Sequence, residues 1–281
     1  HNYYIFDSDD TEYEDCPVYD WIELNPELGG AGESLPSLLL DNGNDQQQVV
    51  TLALPFIFKF YGVDYEEITV CSNGWIAMGQ TEQTTFRNWR LPGPLGASPM
   101  IAPFWDNLVI GPNSNVFIAY DEVEHYFVIT WDEWRNYNYG TTEETFQVIL
   151  YDPEYHTSST GDAPIKFQYK VVNNVDFQVN YDHGQFASIG IEDHTGTVGI
   201  EYTYNNQYPQ AAKVLENEMA LFITTKVGQL PPFVIIQPNH IVFEEDYFDD
   251  SIDLSNIFKD PNNDNIEFSF SESNNLNLEI N

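Results

Sequence analysis

The sequence predicts an all-β protein: a large antiparallel β-sandwich followed by a second, small and incomplete sandwich. Three observations predict it. Period-2 or fully apolar runs of strand length recur along the chain, bounded by Asn, Gly, Pro or Asp. Aromatic residues make up 15%, with 18 Tyr and 19 Phe, side chains that suit pleated, half-buried strands. Helix signals are scarce, the best candidates being two short stretches, residues 35–40 and 211–219.

The elements follow in order. Residues 49–54 read as a strand, Pro55 interrupts, and residues 56–62 read as another. Residues 68–79 form two strands around the turn Ser72-Asn73-Gly74. Residues 100–108 are apolar and strand-like, through Ala102-Pro103-Phe104-Trp105-Asp106. Residues 116–120 and 126–131 flank a hairpin-like connection at 121–125. Residues 145–152 and 165–170 are strands, and residues 187–192 and 199–204 flank a second hairpin at 193–197. Many short strands with turn signals between them define a sandwich or barrel.

A boundary falls at residues 228–232, Gly-Gln-Leu-Pro-Pro, which is stiff and extended by composition. It divides the chain into a domain at 1–228 and a smaller one at 229–281. Short strands are expected in the second at 234–236, 241–243, 251–254, 266–270 and 276–280, separated by acidic or Asn-rich turns. About fifty residues is at the low edge of what folds without help.

Charge excludes some partners. The 281 residues carry 45 acidic side chains against 9 basic ones, a net charge of -36. Such a chain repels phosphate backbones and anionic membrane surfaces, so neither nucleic acid nor a membrane is an expected partner. Divalent cations are favoured, calcium above all, because clustered carboxylates are its hard ligands; the competing reading is that the charge only keeps the protein soluble. No apolar run is long enough to span a bilayer. The chain begins at His1 without Met, as expected of a processed or trimmed polypeptide. It holds no Asn-x-Ser/Thr acceptor, which favours a prokaryotic source. The two cysteines, Cys16 and Cys71, are expected to form one bridge; the alternative is two buried thiols.

Two resemblances extend this reading. The first ~225 residues resemble a secreted bacterial β-sandwich module that accompanies exported subtilisin-like and gingipain-like peptidases. The likeness rests on Tyr3-Tyr4 with Asp7, Tyr19-Asp20-Trp21-Ile22-Glu23, residues 56–62 and 71–79, Phe86-Arg87-Asn88-Trp89, Ala102-Pro103-Phe104-Trp105-Asp106, and residues 145–152. Within it, the Asn-Gly-aromatic turn, then Ala-Pro-Phe-Trp-Asp, then Phe-Gln-Val-x-Leu is similar to the nidogen extracellular (NIDO) domain. The resemblance implies a module without catalytic residues of its own. The tail resembles the start of a cadherin-like or dystroglycan-type domain. The match lies in Glu244-Glu245-Asp246, Ile252-Asp253-Leu254, Ile257-Phe258 and the run Asp260-Pro261-Asn262-Asn263-Asp264-Asn265. In such families acidic loops bind calcium between domains.

Candidate sites are few. Asp260, Asn262 and Asp264, with Glu244 or Glu245, offer alternating oxygen ligands for calcium; a solvated turn with Asx hydrogen bonds is the other reading. Asp7, Asp9, Asp10 and Glu12 read as a solvated acidic loop. Among the tryptophans, Trp105 and Trp131 sit in apolar strands and belong to the core, whereas Trp89 and Trp134 are placed at strand edges as ligand-stacking candidates. No Gly-x-Ser-x-Gly elbow or zincin His spacing occurs, and no carboxylate pair stands out for glycosidase chemistry.

The expected function is therefore non-enzymatic: an extracellular or cell-surface structural and adhesive protein. It would self-associate or meet other surface proteins by strand donation from its C-terminal unit, with calcium stiffening residues 260–265. The rival is a carbohydrate- or protein-binding accessory module of a secreted peptidase or other hydrolase; a glycosidase-like enzyme is a third reading.

Overall fold

A computed structural model of the chain describes residues 3–41, 48–137, 142–175, 186–225, 232–236, 253–259 and 265–268. The chain separates into two compact units, His1–Lys226 and Val227–Asn281.

The first unit is built from strands β1 (Tyr4–Asp7), β2 (Glu33–Ser34), β3 (Val49–Phe60), β4 (Val63–Cys71), β5 (Trp75–Met78), β6 (Met100–Trp105), β7 (Leu108–Val109), β8 (Asn115–Asp121), β9 (Tyr126–Asn136), β10 (Glu143–Tyr151), β11 (Ile165–Val171), β12 (Ser188–Glu192), β13 (Gly199–Thr203) and β14 (Met219–Thr224). One sheet runs β1-β14-β11-β10-β9-β8-β2, with β7 added on β9; the other runs β13-β12-β6-β5-β4-β3. Every pairing is antiparallel. The protein is an all-β sandwich.

Strand alternation explains the core. Phe146, Val148 and Leu150 of β10 and Ile165, Phe167 and Tyr169 of β11 point inward, against Ile68, Val70, Ile76 and Phe104 of the other sheet. Phe146 stacks on both Phe104 and Trp131, at 5.2 and 5.1 Å between ring centroids. Both sheets are also covered on part of their outer faces. Residues 91 and 97 pack over Cys71, Trp75, Ala77, Met100, Ala102 and Trp105. Ile22 and Leu24 pack over Phe117, Val128 and Ile149.

The turn Ser72-Asn73-Gly74 ties these parts together. Gly74 has φ +75°, and a Cβ there would lie 2.0 Å from the Phe104 carbonyl oxygen, so only glycine fits. The Asn73 side-chain oxygen accepts from Leu108 N at 3.1 Å and its carbonyl from Asp106 N at 3.3 Å. Trp131 Nε1 donates to the Cys71 carbonyl at 3.0 Å, pinning one sheet to the other.

Three sequence expectations change. Pro55 does not end a strand: β3 is a continuous 12-residue edge strand, whose ladder shifts register between Ala53 and Phe58. Proline is tolerated there because an edge strand can spare a donor. Residues 35–40 give a 3-10 helix, Pro36–Leu40, rather than an α-helix. The stretch 211–219 is not helical; Met219 instead opens β14, which sits between β1 and β11.

In the second unit β15 (Phe233–Val234) pairs antiparallel with β16 (Phe258–Lys259). A 3-10 turn, Leu254–Asn256, precedes β16 and is capped by Asp253, whose carboxylate accepts from Ser255 N at 2.9 Å. The expected strands at 241–243 and 276–280 lie outside the described residues. No helix among the described residues is long and apolar enough to cross a membrane.

Candidate functional site

The loop between β5 and β6 carries the exposed aromatic and basic side chains that the sequence singled out. Its position is fixed from beneath. Asn88 is buried and donates from Nδ2 to the Phe186 carbonyl at 2.6 Å and to Ser188 Oγ at 3.1 Å. Ser188 Oγ returns a bond to the Trp89 carbonyl at 2.7 Å. Further along, the buried Glu192 carboxylate accepts from Gly93 N at 2.9 Å and from Ser98 Oγ. The loop is thus clamped to β12 at both ends.

Above this base, Trp89 is 40% exposed and lies 6.1 Å from the ring of Tyr204. The Arg90 guanidinium stacks over Tyr204 at 5.0 Å, pairs with Glu201 at 2.9 Å and donates to Gln207 Oε1 at 3.2 Å. The second carboxylate oxygen of Glu201 accepts from Leu91 N at 2.9 Å. Arg87 is exposed on the same segment and has no carboxylate partner among the described residues. Two of the chain's three arginines therefore flank one exposed indole, in a protein of net charge -36. Flat rings beside fixed guanidinium and amide groups can stack on a sugar ring and donate to its hydroxyls, or receive a protein side chain.

Trp134 is not part of this surface. It is fully buried in the core, and its Nε1 donates to the Asn115 carbonyl at 2.8 Å, so it has no face to offer a ligand. The expected bridge is also corrected: Cys16 and Cys71 are both free thiols. Cys71 is sealed among Trp75, Trp105 and Met100, while Cys16 Sγ lies 3.7 Å from the Asp7 carbonyl. Burial pushes the Cys71 thiol up to about 12.

The calcium candidates Glu244, Glu245, Asp260, Asn262 and Asp264 lie outside the described residues. Among the described residues, no group of three or more His, Cys, Asp or Glu side chains has metal-holding geometry. Of the acidic loop at 7–12, Asp7 is not solvated at all. It is buried and accepts from Tyr202 Oη at 2.9 Å and Lys213 N at 2.8 Å. Sequence reasoning missed Tyr204, Glu201 and Gln207 as neighbours of Trp89; only the pairing of β13 with β12 brings them across from the loop.

These features define a β-sandwich with one ordered, aromatic-basic loop surface. The family model described as NIDO related matches residues 33–231. The chain belongs to this family of nidogen-related domains. No curated protein and no solved structure matches it.

Proposed function

We propose that this chain is a non-enzymatic, extracellular adhesive protein whose contact surface is centred on Trp89. The observation that carries this reading is the geometry of the surface. Trp89, Tyr204 and Arg90 form an exposed stacking group held rigid by the Asn88–Ser188 and Glu192–Gly93 bonds. A contact surface held by buried bonds loses little entropy on binding. The ligand class is a glycan or a protein segment, with Arg87 free to meet an anionic group. The same surface would serve an accessory module of a secreted peptidase or other hydrolase, and the two readings differ only in what is linked to it.

Self-assembly is a second reading, supported by β3. Among the described residues this 12-residue strand has a hydrogen-bonded neighbour, β4, on one side only. A strand donated by the C-terminal unit of another copy would extend that edge, with calcium at residues 260–264 stiffening the donor.

Glycan-array binding by the wild-type chain and by Trp89→Ala tests the first reading. Binding that Trp89→Ala abolishes supports it, and binding unchanged by the substitution removes Trp89 from the site. Size-exclusion chromatography with light scattering, in calcium and in chelator, tests the second: a monomer under both conditions ends it.

A further inference from the structure

The motif Tyr19-Asp20-Trp21-Ile22-Glu23 has no part in the Trp89 surface. It lies in a strap over the outer face of the larger sheet, where Gln168 of β11 and Gln147 of β10 clamp the main chain of Asp20 and Ile22. The Trp89 loop is held by Ser188 and Glu192, which leave β12 on the side away from the inward-pointing Ile189 and Ile191. The strap and the Trp89 loop therefore sit on opposite outer faces of the sandwich.

Alternate residues of the strap part company. Ile22 and Leu24 pack down onto Phe117, Val128 and Ile149. Tyr19 and Trp21 instead bring their half-buried rings together, with 6.5 Å between centroids and 26° between planes. The Lys170 ammonium stands over the indole at 5.3 Å and pairs with Glu23 Oε2 at 2.9 Å. Glu23 Oε1 accepts from Asn25 N at 2.9 Å. Both charged side chains are thus fixed, yet Lys170 keeps 34% and Glu23 29% of its side-chain surface in water. The Tyr19 hydroxyl faces Glu218 and Glu23 without bonding to either. Burial, and then those two charges, push it up to about 12, so it stays a neutral hydroxyl at ordinary pH.

This chemistry selects a ligand class. Flat, nearly parallel rings rimmed by fixed donors and acceptors match a sugar, whose apolar face can lie on the rings while its hydroxyls meet the rim. Lys170 uses one of its three donors on Glu23, which leaves two. Glu23 and Glu218 disfavour an acidic sugar. A protein partner fits less well: an ordinary protein interface covers roughly 800 Å² per side around a centre depleted of charge, whereas Lys170 and Glu23 stand at the rings themselves. The clamped strap would lose little entropy on binding.

We propose that Tyr19 and Trp21 form a second, independent platform for a neutral sugar, on the face opposite Trp89, with Lys170, Glu23 and the Tyr19 hydroxyl bonding the sugar's hydroxyls. One chain then holds two glycans at once and joins the surfaces that carry them. The cross-link rests on the Trp89 reading; the platform does not.

The test places the full chain on an array of neutral and acidic oligosaccharides, as wild type, Trp89→Ala, Trp21→Ala, Trp21→Phe, Tyr19→Ala and Lys170→Met. A set of neutral oligosaccharides is expected to survive Trp89→Ala and to bind about tenfold more weakly, or worse, to Trp21→Ala and Tyr19→Ala. Trp21→Phe keeps a ring and should lose less. Lys170→Met keeps an apolar chain over the indole but no donor, and should weaken the same set. Should Trp21→Ala not fold, Tyr19→Ala and Lys170→Met decide. Neutral binding that Trp89→Ala leaves unchanged and Trp21→Ala removes supports the platform, even where it counts against the Trp89 surface. The platform is overturned if no neutral oligosaccharide binds or if Trp89→Ala abolishes all binding. It is also overturned if the retained set is indifferent to Trp21→Ala, Tyr19→Ala and Lys170→Met, as it would be were the rings a seat for a protein segment. Beads bearing a Trp21-dependent glycan and beads bearing a Trp89-dependent one should be joined by the wild type and by neither alanine variant; a wild type that binds both and joins none overturns the cross-link.

Discussion

Gln168 holds the main chain of Asp20 with both ends of its side-chain amide: Oε1 accepts from Asp20 N and Nε2 donates to the Asp20 carbonyl, each at 2.6 Å. One strand across, Gln147 does the same for Ile22, at 3.3 and 3.0 Å, and the two amides are joined at 3.0 Å. The segment at 20–22 therefore crosses the outer face of the larger sheet without being a strand of it. Its polar groups are matched by glutamines standing up from β10 and β11, as buried main-chain groups require.

This relationship predicts that Gln168→Leu is far more harmful than its conservative volume suggests. It leaves the part-buried Asp20 amide and carbonyl without their side-chain partners, and an unmatched group shielded from water costs about 1–3 kcal/mol. Urea unfolding should show a loss of about 3 kcal/mol. The double variant Gln147→Leu/Gln168→Leu should lose less than the sum of the two singles, because they share one network. Additive losses would mean that the two clamps act separately.

The two glycines around β5 make a second contrast. Gly74 and Gly79 both have positive φ, +75° and +82°, but a Cβ at Gly79 meets nothing within 4 Å, whereas one at Gly74 strikes the Phe104 carbonyl. Gly79→Ala should cost about 1–2 kcal/mol from the left-handed backbone alone. Gly74→Ala must also push β6 away from the turn, and is expected to abolish soluble folded protein. Equal thermal shifts for the two would contradict the close approach at Gly74.

The free cysteines are checked by thiol counting. In denaturant the chain should react with two equivalents of an aromatic disulfide reagent without prior reduction. In the native state Cys16, half-buried beside Asp7, should react first. Cys71 should stay protected, since it is fully buried and its thiol is pushed up to about 12. No reactive thiol in denaturant would restore the Cys16–Cys71 bridge.

Trp89 and Trp134 should part company on substitution. Trp134→Ala empties a core position and is expected to cost about 3–5 kcal/mol. Trp89→Ala, at an exposed position, should stay within about 1 kcal/mol of wild type while losing ligand. The sequence could have separated them. Arg135 beside Trp134 suggested an exposed edge, yet neighbours along a strand face opposite sides, so a charged 135 argues for a buried 134. Alternation made Phe146, Val148 and Leu150 readable as one inward face, and Asn73-Gly74 readable as a turn. It could not show that Ile149 and Val128, on the opposite face, are covered by Ile22 and Leu24. Nor could it show which of the 45 acids, Asp7, Asp106, Glu144 and Glu192 among them, are taken out of water. Coverage of an outer face and burial of a carboxylate are set by contacts between segments a hundred residues apart, and no local period records them.

Glu192 links the loop that carries Trp89 to the pH of the medium. Burial, and then the charge of Asp193 beside it, raise its carboxyl above the ordinary 4.5, while the bonds from Ser98 and Gly93 pull it only partly back. A carboxyl raised in the folded state is proton-bound there at pH values where the unfolded chain has already released its proton. Folding is therefore helped most below the unfolded value, and this help is lost as pH rises through the raised folded value. Glu192→Gln keeps an oxygen for Gly93 N and cannot ionise. Unfolding free energy measured in urea should fall with rising pH across that window in the wild type, and fall less steeply in Glu192→Gln. Parallel pH curves for the two proteins would mean that the Ser98 and Gly93 bonds already hold the ionised form at no cost, and that the loop beneath Trp89 is insensitive to pH.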